Sequence, residues 1–142
     1  MNPINDKTNW NLVAIIVLGT FVPICLILVT YIYCKNINLC MKNGIGPLYI
    51  ACQNGYKNIV ELLLSKDANI NVCTEKGISP LFIASQSQQE SIVELLLSKG
   101  ADINLCSKDG TTPLDIASQQ RHKNILNFLQ NNGGKHGYVK TA

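Results

Sequence analysis

Apolar and polar residues follow two different schedules along this chain, and the change comes near residue 35. From Leu12 to Cys34 there are 23 residues without a charge, and fourteen of them are Leu, Ile, Val or Phe. As a helix this stretch spans about 34 Å, against about 30 Å of bilayer hydrocarbon. It is therefore expected to cross a membrane once, with residues 1–11 as a polar N-terminal tail. Trp10 at one end, and Tyr31 and Tyr33 at the other, fall where interfacial aromatic belts form. Pro23 removes one helical hydrogen bond and leaves the Gly19 carbonyl unpaired, which predicts a kink. The rival reading is a secretory signal, whose apolar core runs about 7–15 residues before a small-residue cleavage site. The run from Tyr31 to Lys35 offers no such site.

Past residue 36 the apolar residues come in short clusters that recur every 33 positions. Ile59, Val60, Leu62, Leu63 and Leu64 are answered by Ile92, Val93, Leu95, Leu96 and Leu97. Pro47, Pro80 and Pro113 share the same spacing, as do Gly44, Gly77 and Gly110, and Ala51, Ala84 and Ala117. A fixed period of this length marks a stacked array in which each unit buries its apolar face on its neighbour. The units run 36–68, 69–101 and 102–134, with 135–142 as a flexible tail. Each reads as turn, short helix, turn, longer helix. A glycine supplies the turn, and a proline three residues later suits the first helical position, where its missing N–H costs nothing. Ser79 and Thr112 stand ready as N-caps; Gly46, in the same place, has no oxygen to offer. Gly100 ends the second helix of its unit where a left-handed residue is wanted, a place taken by Asp67 one unit earlier.

Charge and cysteine placement narrow the function classes. Twelve basic residues are spread from Lys7 to Lys140 among nine acidic ones, for a net charge of +3. No cluster or stripe of the kind that binds nucleic acid is present. Of six cysteines, Cys25 and Cys34 lie in the apolar stretch, while Cys40, Cys73 and Cys106 share one repeat position. Equivalent atoms of stacked units are about 8–10 Å apart, too far for a disulfide, which needs Cα atoms within about 7 Å. A thiolate zinc site, with bonds of about 2.3 Å, fails on the same distance. Reduced thiols suit a cytosolic domain. His122, in an inter-helix turn, reads as a solvated residue, and His136 lies in a Gly-rich tail. Neither has a partner at a spacing that makes a nucleophile–base pair. No catalytic residue, cofactor, metal or small-molecule substrate is expected.

The units resemble the ankyrin repeat. The resemblance rests on Gly110-Thr111-Thr112-Pro113-Leu114 and on the run from Ile92 to Asn104, Ile-Val-Glu-Leu-Leu-Leu-Ser-Lys-Gly-Ala-Asp-Ile-Asn, with Pro-Leu-x-x-Ala in all three units. It implies an all-α fold, an ankyrin-like helical solenoid of three repeats, here preceded by one transmembrane helix. Two departures stand out. The family's histidine after Pro-Leu is replaced by Tyr49, Phe82 and Asp115, so the polar contact at the helix start should be missing. The Gly-His turn between helices survives as Gly55-Tyr56 but becomes Gln88-Gln89 and Arg121-His122. If that turn stays left-handed, Gln88 and Arg121 each cost about 1 kcal/mol. In the third unit, Gln130 and Asn127 replace Leu97 and Glu94, giving the polar outer face a terminal unit needs.

The resemblance also implies a protein partner, met by the projecting turns and the ends of the first helices. The turn positions are Lys42, Asn43 and Ile45, then Glu75, Lys76 and Ile78, then Lys108, Asp109 and Thr111. The helix-end positions are Gln53 and Asn54, Gln86 and Ser87, and Gln119 and Gln120. The expected function is a membrane-tethered adaptor without catalysis. Lys35 and Lys42 outweigh Lys7, offset by Asp6, so the repeats are expected on the cytoplasmic side. Two alternatives stay open: an accessory subunit acting through its transmembrane helix, and a secreted effector whose leader is removed. Cys34, at the interface, is a candidate for lipidation.

Overall fold

The computed structural model describes Asn38 and residues 43–138. The polar tail 1–11, the apolar stretch 12–34 with Cys25 and Cys34, and Cys40 and Lys42 lie outside the described residues. The chain divides into two units, Met1–Ile37 and Asn38–Ala142, and the described residues all belong to the second. They hold six helices and no strand: α1 (Pro47–Asn54), α2 (Lys57–Ser65), α3 (Pro80–Gln86), α4 (Glu90–Ser98), α5 (Pro113–Gln119) and α6 (Lys123–Asn131). Among the described residues no helix is long and apolar enough to cross a membrane.

Local chemistry sets each helix boundary. Pro47, Pro80 and Pro113 open the first helix of each unit. The Ser79 hydroxyl accepts from the Phe82 N–H at 3.1 Å and the Thr112 hydroxyl from the Asp115 N–H at 3.2 Å, as the sequence predicts, while Gly46 contributes no side-chain cap. Between helices the left-handed turn is kept in every unit: Gly55 has φ +79°, Gln88 +59° and Arg121 +61°. The same backbone bond closes that turn three times, from Tyr56 to Ala51, Gln89 to Ala84 and His122 to Ala117, at 2.9–3.0 Å. The second helices also end alike. Asp67, Gly100 and Gly133 are left-handed, and the amides of Ala68, Ala101 and Gly134 return to the carbonyls of Leu63, Leu96 and Leu129 at 2.8–3.1 Å.

These hairpins stack in two layers. The short helices α1, α3 and α5 pack in series, the longer α2, α4 and α6 form the second layer, and each hairpin packs on itself. The core lies between the layers and is built from repeated positions. Ala51, Ala84 and Ala117 are fully buried, small enough for adjacent first helices to approach closely. Ile59, Val60 and Leu63 in α2, and Ile92, Val93 and Leu96 in α4, place a buried stripe at helical spacing. A third tie runs from unit to unit through asparagine. The side-chain oxygens of Asn38, Asn71 and Asn104 accept from the backbone amides of Asn69, Asp102 and Lys135 at 2.6, 2.9 and 2.7 Å.

Candidate functional site

The candidate surface begins at the turns. In the second and third fingers backbone carbonyls fold the chain back: Thr74 N–H donates to Ile78 O at 3.1 Å and Gly77 N–H to Thr74 O at 2.8 Å. Ser107 N–H donates to Thr111 O at 2.9 Å and Gly110 N–H to Ser107 O at 2.9 Å. Gly77 at φ +79° has the neighbouring finger against it, since a Cβ there would lie 2.9 Å from the Lys108 nitrogen. Adjacent fingers are joined through their backbones, Glu75 N–H to Asn43 O and Lys108 N–H to Lys76 O, both at 3.0 Å. The structure thus brings the turn positions into one edge in a fixed register.

Along that edge Asn43, Glu75, Lys76, Lys108 and Asp109 are exposed, and Ile45, Ile78 and Thr111 are partly so. Two of these side chains serve their own turn. Asn43 Oδ1 accepts from the Ile45 N–H at 3.1 Å, and Asp109 Oδ1 from the Thr111 N–H at 3.2 Å and from the Ser107 hydroxyl. The Ser107 bond first, then those from Thr111, hold the Asp109 carboxyl below its usual range. Glu75, Lys76 and Lys108 are therefore the more available charges. The helix-end positions sit one short helix away, about 10–12 Å along the axis. Gln53, Asn54, Gln86, Gln119 and Gln120 are exposed there, and Ser87, the C-cap of α3, is partly exposed. Asn54 Nδ2 donates to the Ile50 carbonyl at 2.8 Å, so it too is engaged with its own helix.

Three expectations are corrected by the geometry. His122 is not a solvated turn residue: it is partly buried, and its Nδ1 donates to the Ser85 carbonyl of the preceding unit at 2.9 Å. The polar contact at the helix start is absent at Phe82, which is buried as an apolar residue, but it is present in the third unit. Asp115 there completes a capping box with Thr112, accepting from its N–H at 3.0 Å. And the segment after Gly134 does not simply leave the surface. Lys135 N–H donates to Asn104 Oδ1 at 2.7 Å, Gly137 N–H to Asp115 Oδ2 at 2.8 Å, and His136 Nδ1 lies 2.5 Å from Asp115 Oδ1. Burial pushes the Asp115 carboxyl up, but hydrogen bonds from Thr112, Gly137 and His136 outweigh it and hold it below the usual carboxylate range. Periodicity carried neither the His122 bond nor the contacts of His136 and Gly137 with Asp115, because these join unlike residues 21 to 37 positions apart.

Two of the described thiols, Cys52 and Cys73, are held in their protonated form. Cys52, Cys73 and Cys106 are free. Burial pushes the Cys52 thiol up to about 12. Burial, and then the neighbouring Cys106, raise Cys73, whose Sγ also lies 3.5 Å from the Asn71 carbonyl. A raised thiol is a poor nucleophile and a poor metal ligand, and no metal-binding group occurs among the described residues.

Comparison with known proteins agrees with the geometry. No curated protein matches the chain. The sequence profile of the family described as Ankyrin repeats (3 copies) matches residues 12–107 and again residues 71–140, which together take in most of the chain. Such repeats are protein–protein interaction modules, and the stacked hairpins, proline-opened first helices and registered fingers agree with that family. The chain belongs to the ankyrin-repeat family.

Proposed function

We propose that this protein is a membrane-tethered adaptor that holds a protein partner against its finger edge. The observation that carries the reading is the contrast along that edge. The backbone register is fixed by the bonds from Glu75 to Asn43 and from Lys108 to Lys76. The side chains it displays differ from unit to unit: Asn43 and Ile45, then Glu75, Lys76 and Ile78, then Lys108, Asp109 and Thr111. A constant frame with varied chemistry is what selective recognition requires. The tether rests on the 23 uncharged residues from Leu12 to Cys34, and the cytoplasmic placement of the repeats on Lys35 and Lys42. Confinement to a membrane raises the effective concentration of the array for partners in the same layer.

A second reading has its own observation. The family match begins at residue 12, so the apolar stretch also scores as repeat sequence. On that reading the protein is the same interaction module without a tether. Tags at both ends, with protease added to sealed membrane vesicles, separate the two. The tether predicts a chain retained by membranes after alkaline washing, with its C-terminal tag on the cytosolic side. A chain released by the wash would leave the untethered module. For recognition, a photo-crosslinking residue in place of Lys76 should capture a partner that one in place of Glu61 does not. Capture solely through positions 12–34 would remove the finger edge from consideration.

A further inference from the structure

The third unit puts a carboxylate where the second has a phenyl ring. Asp115 stands at the position of Phe82, and its side chain is 10% exposed. A carboxylate this buried needs partners. Oδ2 accepts from the Thr112 N–H at 3.0 Å and the Gly137 N–H at 2.8 Å, with the Thr112 hydroxyl 2.9 Å away; Oδ1 faces His136 Nδ1 at 2.5 Å. Part of this set lies within its own capping box. The rest comes from a segment 21 and 22 residues downstream.

That segment is held at every residue. The Lys135 N–H donates to Asn104 Oδ1 at 2.7 Å, and the Lys135 carbonyl lies 2.9 Å from the Thr112 hydroxyl, whose single proton serves either this oxygen or Asp115. The bond from Lys135 repeats those from Asn69 and Asp102, so the segment enters on the register of a further unit. It then departs from that register's chemistry. Where the earlier units carry Asn71 and Asn104, this one carries Gly137, and a Cβ there would lie 1.8 Å from the Gly110 carbonyl oxygen. No side chain fits. His136, between the two backbone donors, keeps 65% of its side chain exposed, and Tyr138 just beyond is 95% exposed. The segment is gripped by polar bonds with little apolar burial behind them, which makes a separable ligand and not a piece of core.

We propose that Asn104, Thr112 and Asp115 form a peptide-binding cradle, and that Lys135-His136-Gly137 is its resident ligand, bound in cis and exchangeable with a free segment of the same chemistry. The ligand class is a short peptide stretch with backbone N–H donors two residues apart, an imidazole between them and glycine in the third place. The proposal does not depend on the tether or on the finger edge.

The test uses the full chain carrying Gly137→Ala, followed by amide spectra. The wild type should show a Gly137 amide protected from exchange. The variant should keep its helical content, lose that protection at residue 137, and shift the resonances of Asn104, Gly110, Thr112 and Asp115 while leaving those of the first unit unmoved. The peptide Gly-Gly-Lys-His-Gly-Tyr, added to the variant, should return those resonances to their wild-type positions. The same peptide with alanine as its fifth residue should leave them unmoved. A His136→Ala chain, which disturbs no backbone contact, should bind its own tail more weakly and accept the peptide at lower concentration than the wild type does. A wild-type Gly137 amide that exchanges like open chain, or an emptied cradle unmoved by the first peptide at millimolar concentration, overturns the proposal. Wild-type shifts that vary with protein concentration would also overturn it, by assigning the tail to a second copy.

Discussion

The first and third units share a framework and are finished in opposite ways. In the first, Pro47, Tyr49 and Ile50 are partly exposed, although their counterparts Pro80, Phe82 and Ile83 are buried in the middle unit. Its N-cap is Gly46, which offers no oxygen, and its second helix ends on a left-handed Asp67. Leu62 remains 38% exposed. The third unit has a full capping box, a left-handed glycine at Gly133, polar Asn127 and Gln130 on its outer helix, and a tail returning over its first turn. Only at Arg121, left-handed where the first unit has Gly55, is the third unit the worse formed. Identical spacing therefore does not mean equal local stability. In an array whose units touch only their neighbours, opening should start from the first unit.

The sharpest test removes the same leucine from each end. Leu63→Ala and Leu129→Ala should each cost about 2–5 kcal/mol, and the loss at Leu129, fully buried in the better-finished unit, should be the larger. Denaturant midpoints with unchanged slopes measure it; equal losses would mean the finishing of the ends is irrelevant. Asp115→Ala comes next, at about 1–3 kcal/mol, because it strands the donors of Thr112 and Gly137. Acid should act on the same group. The Asp115 carboxyl sits below its unfolded value of about 3.9. Its contribution is thus complete above that value and is lost as pH falls through the lower folded one. Amide shifts at Thr112 and Gly137, the two donors to Asp115, should follow that loss, with no matching change at Asn43 or Ile50.

Smaller effects separate the glycines. Gly77→Ala meets the Lys108 nitrogen at 2.9 Å as well as a left-handed backbone, whereas Gly100→Ala meets nothing within 4 Å. The first should cost more than the roughly 1–2 kcal/mol of the left-handed penalty, and the second about that penalty alone. Thermal melts of the pair give the difference. Smallest of all, Asp67→Gly should raise stability by at most about 1 kcal/mol and slow hydrogen exchange in α2 more than in α6.

How much of this was legible depended on whether a contact repeats. The 33-residue spacing of Pro47, Pro80 and Pro113 announced the hairpins, and Ser79 and Thr112 announced their caps. The left-handed turns at Gln88 and Arg121 followed from alignment with Gly55. The row of Asn38, Asn71 and Asn104 carried the same periodic signal, yet nothing in one side chain says that its oxygen crosses to the next unit. The bonds from His122 to Ser85 and from His136 to Asp115 had no period to betray them. Of the finger positions, the sequence could not show that the oxygens of Asn43 and Asp109 are spent on their own turns.

The asparagine row carries a consequence for how such a chain can change length. Each bond links a residue to one 31 positions later, and each donor stands 33 after the last. Duplicating a whole unit at the boundary between Ala68 and Asn69 would hand every asparagine a correct new receiver, whereas inserting one residue there would misalign the join. The protein should tolerate additions of 33 residues more readily than additions of one. Genetic gain or loss by whole units is thus the path its hydrogen bonding leaves open.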